Sequence, residues 1–213
     1  MLTLHHLNQS RSQRILWLFE ELGVPYEIIR YERDPKTMLA PESLKQVHPL
    51  GKSPVVTDGE AVLAESAAII EYIMEKYGPE EMKPESEEQK LRYRYWMHYA
   101  EGSLMTPLLL KLVFDKLETE APLIVKPVTY AISKKIGSLF INPNLKTHFD
   151  YVESELGKFP WLVGDRFTAA DIQMSFPIEA GEERVGYGNR PHLAQYLARI
   201  KARPAYQRAM LKA

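Results

Sequence analysis

HPLGKSPVVTDGEAVLAES, residues 48–66, is the stretch on which the reading of the fold turns. His48-Pro49-Leu50-Gly51 carries two turn-forming residues, and Ser53-Pro54 leads into Val55-Val56-Thr57, a run of strand formers. Asp58-Gly59 is a hairpin dipeptide, so residues 60–63 return antiparallel. Glu65-Ser66 stands where AAIIEYIMEKYG begins a helix. A proline at the mouth of a strand cannot donate to the ladder, which leaves the backbone of Ser53 free to pair outside its own sheet. A helix start presents unpaired N–H groups and suits an anion. A free strand edge beside a helix start is a seat for a peptide with a free carboxylate.

Upstream, Leu2, Leu4 and Leu7 mark a first strand, with Thr3 and His5 facing the other way. Adjacent strand residues point to opposite faces, so His5-His6 does not read as a metal pair. Asn8-Gln9-Ser10-Arg11-Ser12 is a polar turn with several helix-capping side chains. Ile15, Leu16, Leu18, Phe19 and Leu22 follow at helical spacing, and Gly23 closes that helix. Val24-Pro25 then restarts an extended run, Tyr26–Tyr31. Strand, helix and strand this close predict a parallel βαβ unit. Residues 32–47, with Pro35 and Pro41, predict a loop and a short irregular helix. A third helix ends at Tyr77-Gly78, so the order is β-α-β-α-β-β-α.

Downstream, residues 79–88, PEEMKPESEE, hold two prolines and five acids; they predict a linker over 79–86 and a second, all-helical domain over 87–213. Residues 87–118 read as one long amphipathic helix with Tyr95, Trp96, Tyr99 and Leu104 inside and a kink at Pro107. Residues 122–141 form another helix, and Asn142-Pro143 restarts the chain into 144–158. Thr168 and Asp171 form a capping box, with Phe167 stapled to Ile172. GEERVGYGNR, residues 181–190, lacks both the third glycine and the preceding strand of a dinucleotide fingerprint, and it reads as a loop.

Bulk properties narrow the function. The net charge of −1 gives no global field for nucleic acid, although residues 89–213 hold 18 basic and 12 acidic side chains and so lean positive. The chain has no cysteine, which excludes disulfides, thiolate metal sites and cysteine nucleophiles. Any thiol chemistry must use a thiol brought by a substrate. There is no signal-peptide pattern at residues 1–30 and no apolar run of the roughly 18 residues a membrane helix needs, so a cytoplasmic protein with no membrane partner is expected.

Four stretches, SRSQRILWLFEELGVPYE (10–27), HPLGKSPVV (48–56), AESAAIIEYI (64–73) and GDRFTAADI (164–172), occur in an order that resembles the cytosolic glutathione transferase superfamily, closest to bacterial and fungal serine-type members. The resemblance covers nearly the whole chain. It implies a thioredoxin-like α/β domain over 1–78, with a cis proline at Pro54, followed by an all-α domain. It also implies glutathione as co-substrate, no metal, a homodimer, and transfer of the glutathione thiolate to hydrophobic electrophiles. A glutathione-dependent peroxidase of the same fold and a non-catalytic ligand- or protein-binding module are the alternatives.

By the same resemblance, aligning Arg14 with the family's early-helix arginine places Ser10 at the thiol, with Ser12 and Asn8 as alternatives. Lys52 and His48 are expected to face the glycyl carboxylate. The Ser53 backbone, before Pro54, should pair with the cysteinyl unit, and Glu65 and Ser66 should hold the γ-glutamyl end. Ser103, Leu104, Pro107, Leu108 and Phe176 are expected to line the electrophile pocket, with Tyr99, His98 and Glu101 left ambiguous.

Overall fold

β1 (Leu2–Leu7) is the hub of a four-stranded sheet in the computed structural model, which describes residues 1–213. It runs parallel to β2 (Tyr26–Tyr31) and antiparallel to β3 (Val55–Asp58), with Leu2 opposite Tyr26 on one side and Asp58 on the other. β4 (Ala61–Ala64) returns on β3, giving the order β2-β1-β3-β4. A parallel pair needs a crossover, and α1 (Ser12–Leu22) supplies it. Gly23 ends that helix with φ 61°, a conformation that favours glycine. α2 (Glu42–Val47) and α3 (Ser66–Tyr77) complete a thioredoxin-like half, with a cis bond between Ser53 and Pro54.

The second half is helical: α4 (Glu87–Tyr99), α5 (Met105–Glu120), α6 (Lys126–Ile136), α7 (Asn142–Leu156), α8 (Ala169–Arg184), α9 (Pro191–Lys201) and α10 (Pro204–Met210). No helix is long and apolar enough to cross a membrane. α1 sits between the two halves. Ile15, Leu16, Trp17, Leu18 and Phe19 are all buried in succession, which one covered face of a helix could not achieve. The sheet and α3 cover one side, and α8 and α10 cover the other. Trp17 meets Tyr206 of α10 edge-on at 5.3 Å. Ion pairs from Arg203 to Glu21, and from Arg208 and Lys212 to Glu20, fasten the chain's end to the same helix.

α8 is the core of the helical half, with Ala169 to Ser175 buried without a break. Asp171 starts it. Its carboxylate accepts hydrogen bonds from the N–H groups of Thr168 at 2.8 Å and Leu162 at 3.0 Å, and from the hydroxyl of Tyr196 at 3.0 Å. Burial pushes this carboxyl up to about 6 against the pull of those donors. The reciprocal capping box of Thr168 and Asp171 is formed, and the Asp171 N–H also reaches the Thr168 carbonyl at 3.0 Å.

Four expectations need correction. The helix read over 87–118 is interrupted by a π turn at Ala100–Leu104, and Tyr95 is 45% exposed rather than inside. Asn142-Pro143 does not restart the chain: a second π turn, Gly137–Ile141, carries α6 into α7 without a break. Both wide turns lie just ahead of a proline, Pro107 or Pro143. A proline has no N–H to give the carbonyl four residues back, and a local widening of the helix accommodates the loss. The 181–190 loop is shorter than expected, because α8 runs on to Arg184. Gly181 stays helical because Phe149 of α7 lies against it; an added Cβ would come within 2.5 Å of that ring. The acidic segment after α3 is not wholly open either, since a 3-10 turn at Glu80–Met82 buries Met82.

Candidate active site

A cleft of about 460 Å³ opens between the β1–α1 turn, the segment before β3, the start of α3 and the helical half. The β1–α1 turn forms its floor. Asn8 clamps this turn from outside the cleft: its carbonyl oxygen Oδ1 accepts the Arg33 N–H at 3.0 Å, and its Nδ2 donates to Glu32 at 2.7 Å. Asn8 does not line the cleft, and its amide oxygen and one amide hydrogen are engaged on this outer side. Ser10 lines the cleft. Ser12 does not; it is fully buried and bonded to Ser10 and His6.

The second wall is the segment before β3. His48, Lys52, Ser53 and Pro54 all line the cleft. The Ser53 side chain is tied back, donating to the His5 carbonyl at 3.0 Å and accepting the Leu7 N–H at 3.3 Å. Its backbone N–H and carbonyl make no hydrogen bond within the chain, leaving one edge of extended backbone open to a ligand. Lys52 is exposed and makes no ion pair, and His48 Nδ1 is buried without a partner. Both are free to meet an anion.

The third wall is Glu65 and Ser66 at the start of α3. Glu65 takes φ 70°, a sparsely populated conformation for a residue with a side chain, which costs on the order of 1–3 kcal/mol. The fold accepts that strain where β4 turns sharply into α3. Ser66 is buried, and its Oγ accepts a hydrogen bond from Arg14 Nη2 at 2.9 Å. With one lone pair committed, the Ser66 hydrogen remains available to a ligand carboxylate, beside the first unpaired N–H groups of α3.

Arg14 ties these walls to the helical half. Its other guanidinium nitrogen donates to the Gln173 carbonyl at 2.6 Å, and Nη2 also reaches Glu101. Burial lowers Arg14 to about 10 against the pull of Glu101, so it stays charged at neutral pH. Burial pushes the Glu101 carboxyl up, but Arg14 and Arg11 outweigh it and the group lies below the ordinary carboxylate range. Arg11 pairs with Glu101 at 3.0 Å, and both arginines lie over the Phe176 ring, at 5.4 and 5.3 Å.

The expected electrophile pocket is mostly not there. Leu104, Pro107 and Leu108 are buried in the helical core, because the π turn rotates α5 so that this face meets α8; Ser103 is half-buried and off the cleft. Of the five, only Phe176 lines the cleft, with Glu101 and Arg11 beside it. Arg11 escaped the sequence reading because a polar turn gives no hint that one of its members will pair across 90 positions.

Residues 1–75 match the family described as "Glutathione S-transferase, N-terminal domain" and residues 141–204 "Glutathione S-transferase, C-terminal domain". "Glutathione S-transferase 3" of Schizosaccharomyces pombe is 37% identical, over 96% of this chain and 85% of its own. "Glutathione S-transferase 1" of Saccharomyces cerevisiae is 31% identical, over 100% of this chain and 95% of its own. A crystal structure of a glutathione S-transferase from Actinobacillus pleuropneumoniae superposes with a TM-score of 0.82 at 37% identity, covering 100% of this chain and 92% of that one.

Proposed function

The chain belongs to the glutathione S-transferase family, and from that premise we propose that the cleft binds glutathione and transfers its thiolate to an electrophile. The observation that carries this is the convergence on one cleft of the Ser10 hydroxyl, the unpaired Ser53 backbone and the Ser66 hydroxyl held by Arg14. In this reading the Ser53 backbone pairs with the cysteinyl unit. Ser66 and the α3 start take the γ-glutamyl carboxylate, and Glu65 its ammonium. Lys52 and His48 face the glycyl carboxylate.

The chemistry is an acidity problem. A free thiol has a pKa near 8.5, and making it mostly thiolate at pH 7 needs about two units, or roughly 2.7 kcal/mol. A hydroxyl donating to the anion supplies about 1.5–3 kcal/mol. The nearby start of α1 adds about 0.3–1 kcal/mol. Ser10 plus the helix start is therefore of the required size, and the thiolate then attacks the electrophile as it displaces a leaving group or adds to an activated double bond.

A second reading, glutathione-dependent reduction of hydroperoxides, draws on the same cleft. Phe176 is the main apolar surface offered by the helical half, beside Glu101 and Arg11, which suits a small or polar co-substrate. Assays of conjugation to an aryl halide and of hydroperoxide reduction, run side by side on the wild type and on Ser10→Ala, separate the two. Conjugation exceeding peroxide turnover supports transfer. Glutathione binding without either activity rejects both in favour of a binding module. Exposed Leu91 and Tyr95 on α4 and Val62 on β4 support a homodimer.

A further inference from the structure

Behind Ser10 the hydrogen bonds continue inward. Ser10 Oγ lies 2.7 Å from Ser12 Oγ, and Ser12 Oγ lies 2.8 Å from Nδ1 of His6. All three residues are nearly closed to water, at 4%, 0% and 3% exposure. His6 is brought here by β1, where it sits opposite Arg30 of β2.

Counting hydrogens shows what the line can do. Ser12 owns one hydroxyl hydrogen and has three neighbours able to take it, Ser10 Oγ at 2.7 Å, His6 Nδ1 at 2.8 Å and the Leu7 carbonyl at a longer 3.3 Å; along the two short contacts the line runs one way or the other. If His6 Nδ1 is a bare lone pair, Ser12 donates to it and Ser10 donates to Ser12. Ser10 then offers the cleft only a lone pair. If Nδ1 carries the hydrogen, His6 donates to Ser12, and Ser12 donates to Ser10 at 2.7 Å in preference to the Leu7 carbonyl at 3.3 Å, so that the Ser10 hydrogen is released. The Ser12 N–H already donates to Ser10 Oγ at 3.2 Å, so that oxygen would accept twice and its O–H would be polarised. The only other acceptor for the Ser10 hydrogen is Ser53 Oγ, at a long 3.4 Å.

We propose that His6 is the positioning residue of this site: its Nδ1–H, acting through Ser12, turns the Ser10 hydrogen into the cleft to meet the sulfur of bound glutathione. The inference rests on the glutathione reading above. The thiol gives its proton to solvent, the sulfur keeps the electron pair, and the anion accepts the Ser10 hydrogen; no bond within the relay is broken. The relay requires the Nδ1–H tautomer, in which the ring hydrogen meets Ser12 Oγ, while Nε2, which has no partner within the chain and is not closed off from water, keeps a lone pair. The charged groups facing His6 are Arg30 and Glu32. Burial and then Arg30 hold the imidazole below its ordinary value, with Glu32 opposing, so at pH 7 it is neutral and has one ring hydrogen to place.

The test is the thiolate absorbance of glutathione bound to the full-length protein, titrated against pH in the wild type, Ser10→Ala, Ser12→Ala, His6→Phe and His6→Asn. The wild-type thiol is expected to titrate below free glutathione and Ser10→Ala to revert to it. Ser12→Ala and His6→Phe are expected to lose about threefold to tenfold of the thiolate-to-thiol ratio at pH 7, with the glutathione Kd unchanged only at low pH, where the bound thiol is protonated in every variant. His6→Asn, whose amide N–H falls near the position of Nδ1, is expected to recover most of it. If Ser10→Ala reverts the thiol while Ser12→Ala and His6→Phe match the wild type, the relay is overturned and the glutathione reading stands. If the wild-type thiol titrates like free glutathione, both fall. Ser12→Ala removes one buried hydroxyl and keeps a good helix former, so it carries the test should the His6 variants fold poorly.

Discussion

Arg14 holds a full charge almost out of reach of water; the groups that accept from its two terminal nitrogens come from α3, α8 and the π turn after α4, while Nε is buried without a partner. Removing one partner of such a set costs about 3–5 kcal/mol, because the others are left buried and unpaired. Arg14→Met is therefore expected to lower the urea midpoint sharply and to weaken glutathione binding by freeing Ser66. Glu101 gives the pH dependence. Its folded pKa is depressed from an ordinary 4.5, so its stabilising contribution is present above that value and is lost as pH falls through the folded one. Urea midpoints measured from pH 6 to pH 3 should fall more steeply in the wild type than in Glu101→Gln. Ser10, with Ser12 and Asn8 as alternatives, and Lys52, Ser53, Glu65 and Ser66 were named through the family resemblance, which their short turn and cap stretches made visible. Glu101 and His6 lie in no such stretch. One meets its partners across 87 and 90 positions, and the other is an alternate residue of a strand with nothing nearby to mark it.

The elements divide along the same line. α8 was readable to the residue at its start, because Thr168 and Asp171 are three positions apart and the apolar run follows at once. Asp171→Ala would leave two buried N–H groups and the Tyr196 hydroxyl without an acceptor, at about 1–3 kcal/mol each. Its melting temperature is expected to drop far more than that of Thr168→Ser, which keeps the hydroxyl. The far end of α8 was misread because glycine is ordinarily a breaker, and only the packing of Phe149 explains Gly181. Gly181→Ala should destabilise by about 1–3 kcal/mol through overpacking, and Phe149→Leu in the same chain should recover part of that loss. The π turns left no trace in the periodicity beyond the prolines that follow them. A π turn holds one residue more than an α turn, so it shifts the register of everything downstream by one position.

At the scale of the whole molecule, the α/β-then-helical division was plain from where strand patterns stop, at residue 64. The seam between the halves was not, since no local pattern says that α1 will be covered by residues nearly two hundred positions later. Sedimentation equilibrium is expected to give about twice the 24.6 kDa chain mass, and Leu91→Glu to give the single-chain value. The grip of α10 on α1 bears on how the protein is made. A ribosome delivers α1 early, yet Trp17 finds Tyr206, and Glu20 finds Arg208 and Lys212, only when residues 206–212 have left the exit tunnel. The sheet and its crossover helix must wait, with an uncovered apolar surface, while roughly 190 further residues are made. A nascent chain stalled before residue 204 should therefore be digested by protease at α1, and the full-length released chain should resist.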